Sequence, residues 1–422
     1  MTAGFRVLVV GQGYVGLPLA MRAVEVGHSV VGYDVDESRV KRIAAGQSYV
    51  EDVPNVTLER ALESGRYTPS SESRACAGFD VAIITVPTPL TEGVPDLSHI
   101  EDAGRLLARF LRPGTTVVLE STTYPGTTEE LLAPILEAGS GLTAGTDFSL
   151  GYSPERIDPG NHTWGIVETP KVVSGVNELS LDRIRRFYDS LVDRTVPVSS
   201  PSVAELTKLL ENTFRHVNVA LVNELAMFAS DLGIDVWEAI DAASTKPFGY
   251  MRFTPGPGVG GHCLPVDPSY LSWRVRRRLG QSFRFVELAN DVNDHMPEYV
   301  VTRLVAALNR SRRAVNGSRF LLLGLAYKRN TGDARESPAL AVAERLLSLG
   351  AQVHACDPHV LSEQVDPRVV LVECDEDEIA GADVVVLLVD HDAFDLERVT
   401  RRARFVFDTR NRLAAAANVE RL

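Results

Sequence analysis

The chain has 422 residues, of which 45% are hydrophobic and 23% are charged, and its formal net charge is −13. This composition is typical of a globular protein with room for about three domains. The acidic balance argues against nucleic acid as the main partner, but local basic residues and helix N-termini can still bind a phosphorylated ligand.

The cysteines and the apolar runs indicate the compartment. Cys76, Cys263, Cys356 and Cys374 are widely spaced and form no CxxC pair. This pattern favours a reducing compartment over a disulfide framework or a zinc site, so we expect no metal. The chain begins close to a strand-like run, and no apolar run reaches membrane-spanning length. We therefore expect a cytoplasmic protein without a secretory signal or a membrane partner.

The first part of the chain alternates strand and helix signals. An apolar stretch predicts a helix from about Val15 to Val26, and β-branched runs predict buried strands. These strands are predicted at Arg6–Val10, Ser29–Asp34, Val81–Val86 and Thr116–Glu120. Continuous β-branched runs between helices are typical of a parallel sheet with helices on both faces.

A glycine-rich turn, Gly11-Gln12-Gly13-Tyr14-Val15-Gly16, joins the first strand to the first helix. In a dinucleotide site, the first glycine makes the tight turn, the second admits the pyrophosphate and the third lets helix and strand pack closely. Asp34, at the end of the second strand, can accept both ribose hydroxyls. Its charge and that of Asp36 would repel a 2′-phosphate, and the nearest basic residue is Arg39. We therefore expect NAD rather than NADP.

The middle of the chain is helical. Ser200-Pro201 is a helix-start signal, and apolar residues follow helical spacing from there to about Leu232. A helix of this length often connects domains and can form a subunit interface. Further helices are predicted at Val236–Ala243 and from Phe285 to about Leu308.

The last third repeats the first pattern. Strands are predicted at Arg319–Gly324, Gln352–Asp357, Asp383–Val389 and Arg404–Asp408, with a helix from about Pro338 to Leu349. The predicted fold is α/β, with two Rossmann-like doubly wound domains joined by a long central helix and a helical middle domain. We place the three domains at residues 1–198, 199–308 and 309–422, and we expect a ligand in the cleft between the α/β domains.

One segment combines a glycine pair with a cysteine: Gly260-Gly261-His262-Cys263-Leu264-Pro265-Val266-Asp267. A close, exposed backbone suits a cysteine that attacks a bound substrate. A nicotinamide site with a nucleophilic thiol suggests oxidation of an alcohol beyond the aldehyde. The thiol can hold the aldehyde as a thiohemiacetal, and a second hydride transfer then yields a thioester that water hydrolyses.

Motifs along nearly the whole chain resemble those of the UDP-glucose/GDP-mannose dehydrogenase family. Besides the glycine turn and the cysteine segment, they are Val86–Pro89, Glu120–Thr122 with Pro125–Thr128, Ser153–Arg156, Glu205–Asn212, Lys328–Ser337 and Asp408–Asn411. The resemblance implies two successive NAD-dependent oxidations at C6 of a nucleotide-linked hexose, giving a uronate.

The resemblance also implies roles for single residues. Cys263 would be the covalent nucleophile. Lys208 and Asn212, which share a helix face, would stabilise the alkoxide and the oxyanions flanking the thioester. Glu155 or Asp267 would assist thioester hydrolysis as a general base, and Thr122 would position the water; the sequence does not separate these roles.

Two further sets would bind the ligands. Arg252, the glycine run Gly256–Gly261, Lys328 and Arg410 are candidates for the substrate diphosphate. The resemblance assigns Lys328 to the substrate and Arg335 to NAD. The remaining cofactor-side candidates are Thr85, Pro87, Thr88 and Thr122, and the remaining substrate-side candidates are Glu155, Arg156, Lys208, Asn212, Tyr250 and Gly260.

The residues around the cysteine indicate which sugar the protein would take as its substrate. UDP-glucose enzymes of the family usually have GGxCFxKD, whereas this chain has His262 before the cysteine and Leu264-Pro265-Val266 after it. Residues 254–263 resemble the branch that acts on 2-acetamido sugars, and residues 246–250 and 267–273 resemble the UDP-N-acetylglucosamine 6-dehydrogenases in particular. UDP-N-acetylmannosamine and UDP-glucose are the alternatives. Ser269 departs from the aromatic residue expected at its position.

Other classes of protein fit less well. A two-electron β-hydroxyacid dehydrogenase would need neither Cys263 nor a second α/β domain. A short-chain nucleotide-sugar epimerase would have a Tyr-x-x-x-Lys pair, which the chain lacks. A catalytically silent binding protein would have no need of Cys263, Lys208, Asn212 and Asp267 together. By family analogy we expect a homodimer or a higher homo-oligomer, with a uronate product for a surface polysaccharide or a secondary metabolite.

Overall fold

A computed structural model of the protein describes residues 4–50, 52–91, 93–157, 163–261, 264 and 266–422. The chain divides into two compact units. The N-terminal unit comprises Met1–Glu211 and Ser269–Gln281, and the C-terminal unit comprises Asn212–Pro268 and Ser282–Leu422. Each unit contains a parallel sheet with helices, so the predicted α/β class is confirmed.

The N-terminal unit alternates short strands and helices. Its strands are β1 (Arg6–Val10), β2 (Ser29–Tyr33), β3 (Tyr67–Ser70), β4 (Val81–Ile84), β5 (Leu90–Thr91), β6 (Val94–Pro95), β7 (Thr116–Leu119), β8 (Ser149–Tyr152), β9 (Lys171–Val173) and β10 (Thr195–Pro197). Its helices are α1 (Gly16–Glu25), α2 (Glu37–Ala44), α3 (Asn55–Glu63), α4 (Ser98–Ala108), α5 (Ala133–Ser140) and α6 (Glu178–Tyr188).

The main sheet of this unit has the strand order β3-β2-β1-β4-β7-β8, with every pair parallel. The order reverses between β1 and β4. In open parallel sheets, ligands bind beyond the carboxyl ends of the strands at such a reversal. Val7 and Val9 of β1 pack against Leu17 and Val24 of α1, which fixes the helix directly behind the glycine turn.

Helices connect the two sheets along the chain. They are α7 (Pro201–Leu232), α8 (Val236–Ser244), α9 (Asp267–Leu279) and α10 (Arg284–Arg310). Helices α7, α8 and α10 agree with the predictions within two residues, whereas α9 was not predicted. Within the described residues, no helix is both long and apolar enough to cross a bilayer.

The C-terminal unit repeats the sheet of the first. Its strands are β11 (Arg319–Leu323), β12 (Gln352–Cys356), β13 (Val370–Leu371), β14 (Val384–Leu387), β15 (Val406–Asp408) and β16 (Val419–Arg421), and its remaining helices are α11 (Pro338–Ser348), α12 (Glu376–Gly381) and α13 (Leu396–Arg402). The strand order is β13-β12-β11-β14-β15-β16. Alternate residues of β11 face opposite cores: Phe320 and Leu322 pack in one apolar cluster, and Leu321 and Leu323 in another.

The repetition extends to hydrogen bonds at the strand ends. The N–H of Gly11 donates to the Tyr33 carbonyl at 2.8 Å, and that of Gly324 donates to the Cys356 carbonyl at 2.9 Å. Each of these glycine turns follows the first strand of its sheet, and Asp34 and Asp357 occupy corresponding positions after the second. Both units therefore have the loop geometry of a nucleotide-binding sheet.

Candidate active site

The glycine turn after β1 has the geometry that dinucleotide binding requires. Gly11 has a φ of +94°, and a Cβ there would lie 2.7 Å from the Thr85 carbonyl oxygen. A Cβ on Gly16 would lie 1.9 Å from the Gly11 carbonyl oxygen, whereas a Cβ on Gly13 would meet no described atom within 4 Å. Gly11 and Gly16 are therefore required by packing, and Gly13 leaves room for a diphosphate at the start of α1.

Asp34 is buried and fully engaged with the turn. Its carboxylate accepts the N–H of Gln12 at 2.8 Å and the N–H of Asp36 at 3.0 Å. Arg39 also reaches it, with Nη1 3.0 Å from Oδ2. The basic residue that seemed remote in sequence is thus paired with Asp34. Oδ2 thus accepts from two donors and Oδ1 from one, so Oδ1 keeps a position for one ribose hydroxyl, and a second hydroxyl would have to replace Arg39.

The other cofactor-side candidates differ in their surroundings. The Thr85 hydroxyl donates to the carbonyl oxygens of Val10 at 3.0 Å and Gly11 at 2.8 Å, so it braces the glycine turn. The Thr88 carbonyl accepts the hydroxyl of Tyr270 at 2.6 Å. The remaining candidates are exposed or half-buried: Tyr14, Val15, Pro87 and Thr122.

Lys208 and Glu155 meet in the N-terminal unit. Lys208 Nζ donates to the Glu155 carbonyl oxygen at 2.7 Å and lies 3.5 Å from Glu155 Oε2. Only 8% of the lysine side chain and 12% of the glutamate side chain are exposed. The structure therefore pairs two predicted catalytic residues from distant motifs, with little water around them.

Asn212 and Asp267 form a second pair, in the C-terminal unit. Asn212 lies one turn after Lys208 on α7, and its Nδ2 donates to Asp267 Oδ2 at 2.5 Å. Both residues are buried. Asp267 is the first residue of α9, so the segment that follows the cysteine leads directly into this helix. Cys263 itself lies outside the described residues, with His262 and Pro265.

Arg156 has a partner within its own unit. Its Nη2 lies 2.6 Å from Glu211 Oε1, and its Nη1 donates to the Pro170 carbonyl. The guanidinium therefore links the loop of Glu155 to α7. This contact gives Arg156 a structural role in addition to the predicted substrate role.

The glycine run before the cysteine is constrained by packing. The N–H of Gly256 donates to Asn223 Oδ1 at 2.9 Å, and a Cβ there would lie 2.8 Å from Arg410 Nη1. A Cβ on Gly261 would lie 2.7 Å from the Tyr327 ring, and one on Gly260 would lie 2.7 Å from the Glu336 carbonyl oxygen. The sequence predicts that these glycines bind phosphate. The close approach of neighbouring chain segments is a second reason why side chains would not fit at these positions.

The candidate cations of the C-terminal unit are held differently. Arg410 Nε donates to the Leu388 carbonyl at 2.6 Å, and burial lowers the pKa of its guanidinium. The Arg335 guanidinium forms an ion pair with the Asp333 carboxylate, and its Nε lies 2.9 Å from Oδ1. Arg252 is largely exposed and donates to Asp241 and Ser244. Lys328 is half-buried and Tyr250 is exposed.

The loop that carries Lys328 is fixed by a pair that sequence reasoning missed. His391 Nε2 lies 3.1 Å from Asp357 Oδ2, and both side chains are buried. The N–H of Asn330 donates to His391 Nδ1 at 2.9 Å, so Nε2 carries the proton toward the aspartate. Burial raises and the His391 hydrogen bond lowers the pKa of Asp357, and the net pKa lies well below its usual range. No local motif joins these residues.

The contacts of three polar side chains on α7, Glu205, His216 and Asn223, were also missed. Glu205 accepts the N–H groups of Gly126 at 2.6 Å and Thr128 at 2.9 Å, so the segments 125–128 and 205–212 are hydrogen-bonded to each other. Further along, His216 Nε2 lies 2.7 Å from Asn290 Oδ1, and Asn223 Nδ2 donates to Asn293 Oδ1 at 2.9 Å. Polar side chains at buried positions of the helix are the signal that could have revealed these contacts, because a buried polar group requires a hydrogen-bond partner.

The fold and the glycine turn define a dinucleotide-dependent dehydrogenase with a second nucleotide-binding-type sheet. Comparison with known families agrees. The UDP-glucose/GDP-mannose dehydrogenase family models match residues 5–192 (NAD binding domain), 202–295 (central domain) and 321–415 (UDP binding domain). The chain belongs to the UDP-glucose/GDP-mannose dehydrogenase family. It is an NAD-dependent oxidoreductase of nucleotide sugars.

Individual relatives have narrower names. The UDP-N-acetyl-D-mannosamine dehydrogenase of Pyrococcus horikoshii is 36% identical over 390 residues, covering 92% of this chain and 90% of the relative. The UDP-N-acetyl-D-glucosamine 6-dehydrogenase of Pseudomonas aeruginosa is 37% identical over 393 residues, covering 92% of this chain and 91% of the relative. A solved structure of the Pyrococcus horikoshii UDP-D-ManNAc dehydrogenase has a TM-score of 0.90 at 34% identity and covers 99% of this chain and 98% of that one.

Proposed function

We propose that the protein oxidises C6 of a UDP-2-acetamido-hexose twice, to the uronate, with UDP-N-acetylglucosamine as the first candidate substrate. The buried pairing of Lys208 with Glu155 carries the proposal, because it places a cation and a carboxylate together with little competing water. The motif around Cys263 supports the second oxidation. The domain bounds 1–198, 199–308 and 309–422 are part of the same proposal.

The residues act in two stages. NAD, held at the glycine turn after β1, would supply the hydride acceptor for each oxidation. In the first stage, the C6 hydroxyl loses a proton and a hydride and becomes an aldehyde. In the second, the Cys263 thiolate adds to the aldehyde carbon, and the thiohemiacetal loses a hydride to become a thioester. Water then releases the uronate and regenerates the thiol.

Lys208 and Asn212 stabilise negative charge on the reacting oxygen. A donor that is fixed before the reaction stabilises developing charge more effectively than water, which must reorient. The backbone contact of Lys208 with Glu155 holds its ammonium group in place. Asn212 is held in turn by Asp267.

Glu155 is our first candidate for the general base of hydrolysis. Its carboxylate lies beside the Lys208 ammonium, with Nζ 3.5 Å from Oε2, and is therefore close to the proposed oxyanion donor. Asp267 already accepts the Asn212 amide, which favours an orienting role. Thr122 would position the water.

Lys208→Met tests this assignment. We expect kcat to fall by about 100- to 1000-fold, the usual cost of removing one oxyanion donor, while the KM for NAD changes little. Lys41→Met is the matched control, because Lys41 is an exposed lysine in the same unit, with 78% of its side chain accessible. A Lys208→Met enzyme with kcat within threefold of wild type would remove Lys208 from the mechanism.

The proposed configuration at C2 of the substrate sugar is based on the sequence around Cys263. Relatives named for UDP-N-acetylmannosamine and for UDP-N-acetylglucosamine are 36% and 37% identical to this chain, so their names do not separate the two sugars. UDP-N-acetylmannosamine and UDP-glucose remain the alternatives, and a two-electron oxidation is the alternative of a different class. A role in polysaccharide synthesis and a cytoplasmic location stay predictions.

A further inference from the structure

Lys171, the first residue of β9, connects two loops that carry candidate catalytic residues. Its Nζ donates to Glu120 Oε2 at 2.9 Å and to the Pro154 carbonyl oxygen at 3.1 Å. We propose that Lys171 is a positioning residue that holds the loop of Glu155 in register with the loop of Thr122. This inference rests on the proposed function of those two residues.

The contact lies in a buried network. Only 11% of the Lys171 side chain and 1% of the Glu120 side chain are exposed. The Tyr188 hydroxyl donates to the second oxygen of Glu120, and Lys171 Nζ lies 5.3 Å from the centre of the Tyr188 ring. Glu120 therefore has a partner on each oxygen, and the ammonium has both a carboxylate and a carbonyl.

Each end of the network lies next to a candidate catalytic residue. Glu120 directly follows β7 and stands two residues before Thr122. Pro154 directly precedes Glu155, whose own carbonyl accepts the Lys208 ammonium at 2.7 Å. Two consecutive carbonyls are thus held by two buried lysines, one from β9 and one from α7. The position of the Glu155 carboxylate depends on both.

The chemistry favours positioning over simple stabilisation. A buried ion pair is weak evidence for stability, because an apolar pair of the same volume is often as stable. An apolar pair would not hold the Pro154 carbonyl, however, since it has no donor. The charged lysine is the feature that connects the two loops.

The test separates charge balance from positioning. Lys171→Met alone leaves Glu120 as an unpaired buried charge, so both Tm and kcat should fall. Lys171→Met with Glu120→Gln removes both charges and keeps an acceptor for Tyr188. In this double variant we expect Tm to recover toward wild type, while kcat stays about 10- to 100-fold lower and the KM for NAD is unchanged.

Lys171→Arg is the conservative variant, because it keeps the charge and the donors; it should keep more activity than the double variant. Lys41→Met with Glu37→Gln removes an exposed pair of the same charges and should change nothing. A double variant that recovers kcat together with Tm would overturn the proposal, and so would Lys171→Arg if its kcat were below that of the double variant.

Hydrogen exchange provides a readout that does not depend on the substrate. Amides of residues 153 and 155–157 should exchange faster in the double variant than in wild type, and unchanged exchange would overturn the positioning role. If wild type forms no NADH with any UDP-sugar, the proposed function fails. Exchange alone then decides whether Lys171 holds this loop.

Discussion

Gly13 and Gly16 belong to one motif but have different neighbours. A Cβ on Gly16 would overlap the Gly11 carbonyl oxygen at 1.9 Å, whereas a Cβ on Gly13 would meet no described atom within 4 Å. Gly16 therefore lets α1 pack closely against the glycine turn, and Gly13 lets the cofactor approach.

The variants Gly16→Ala and Gly13→Ala should separate the effect on folding from the effect on cofactor binding. Gly16→Ala should lower the Tm of the free protein, because the helix must move away from the strand. Gly13→Ala should leave that Tm unchanged and weaken NAD binding by about tenfold or more, because a methyl group would occupy the path of the diphosphate. Thermal unfolding without ligand and titration with NAD measure both effects. Equal NAD affinity for Gly13→Ala and wild type would contradict the assignment.

At the scale of elements, helices α7 and α10 are joined by a buried polar ladder. His216 contacts Asn290, and Asn223 contacts Asn293 and the N–H of Gly256. Pro297 in α10 has no N–H for the Asn293 carbonyl, and a Cβ on Gly258 would lie 3.2 Å from that carbonyl oxygen. The glycine run thus passes where the helix lacks a hydrogen bond.

The ladder predicts a pH dependence of stability. Burial lowers the pKa of His216 from its ordinary value of 6.5. As pH falls below that value, the unfolded chain binds a proton that the folded protein does not, so the free energy of unfolding falls until the pH reaches the folded pKa.

Denaturant unfolding between pH 7.5 and 5.5 measures this effect. His216→Gln should show a smaller loss of stability over the range than wild type. The control is His295→Gln, since half of the His295 side chain is exposed on α10. Parallel pH curves for His216→Gln and wild type would contradict the argument.

Helix α7 also carries an exposed apolar stripe. Its members recur at spacings of three, four or seven residues: Val203, Leu206, Leu210, Phe214, Leu221, Leu225, Phe228 and Leu232. Large exposed apolar patches mark interaction sites, and an apolar seam at this spacing is typical of paired helices. The stripe supports the expected homodimer or higher homo-oligomer, and we propose a homodimer paired along it.

Leu221→Lys with Leu225→Lys should disrupt that dimer, because two charges would be buried against the partner helix. Light scattering on a sizing column should show the mass falling to about half. Ala239→Lys is the control, because it adds a charge at an exposed position on α8, away from the stripe. Wild-type protein that is already monomeric, or a double variant that remains a dimer, would contradict the proposal.

Many elements were predictable from local pattern. Continuous β-branched runs located β1, β4, β7 and β14, and the spacing of apolar residues located α7 over its full length. Helix α9 was missed because it begins directly at Asp267, which was interpreted only as a catalytic carboxylate. Several predicted strands were also too long: Asp34, Glu120 and Asp357 fall just beyond the strand ends, where their side chains serve the loops.

At the scale of the whole molecule, the candidate site was predictable as a set of motifs and not as a set of contacts. The sequence identified Lys208, Glu155, Asn212 and Asp267 as candidates. It gave no indication that Lys208 binds the Glu155 carbonyl, because hydrogen bonds between residues far apart in sequence depend on the folded chain. For the same reason Lys171 showed no signal.

The two parallel sheets correspond to two nucleotide-binding domains of the family. The family's NAD binding domain matches the first sheet and its UDP binding domain matches the second. The aspartates after the second strands differ in partner: Asp34 pairs with Arg39, and Asp357 with His391. Corresponding positions in the two sheets therefore have different local contacts.

The central claim is a four-electron oxidation that depends on Cys263. Cys263→Ala should abolish formation of the acid while NAD binding stays near normal, because the thiol acts on the sugar and not on the cofactor. Product analysis and NAD titration on the same preparation check both parts. A Cys263→Ala enzyme with full steady-state activity would contradict the covalent route.

The most direct measurement is the amount of NADH formed per mole of sugar consumed, with UDP-N-acetylglucosamine, UDP-N-acetylmannosamine and UDP-glucose in parallel. We predict two NADH per sugar, with UDP-N-acetylglucosamine as the preferred substrate. Two NADH on another of these sugars would keep the mechanism and correct the substrate. One NADH per sugar would contradict the four-electron oxidation and the role of Cys263.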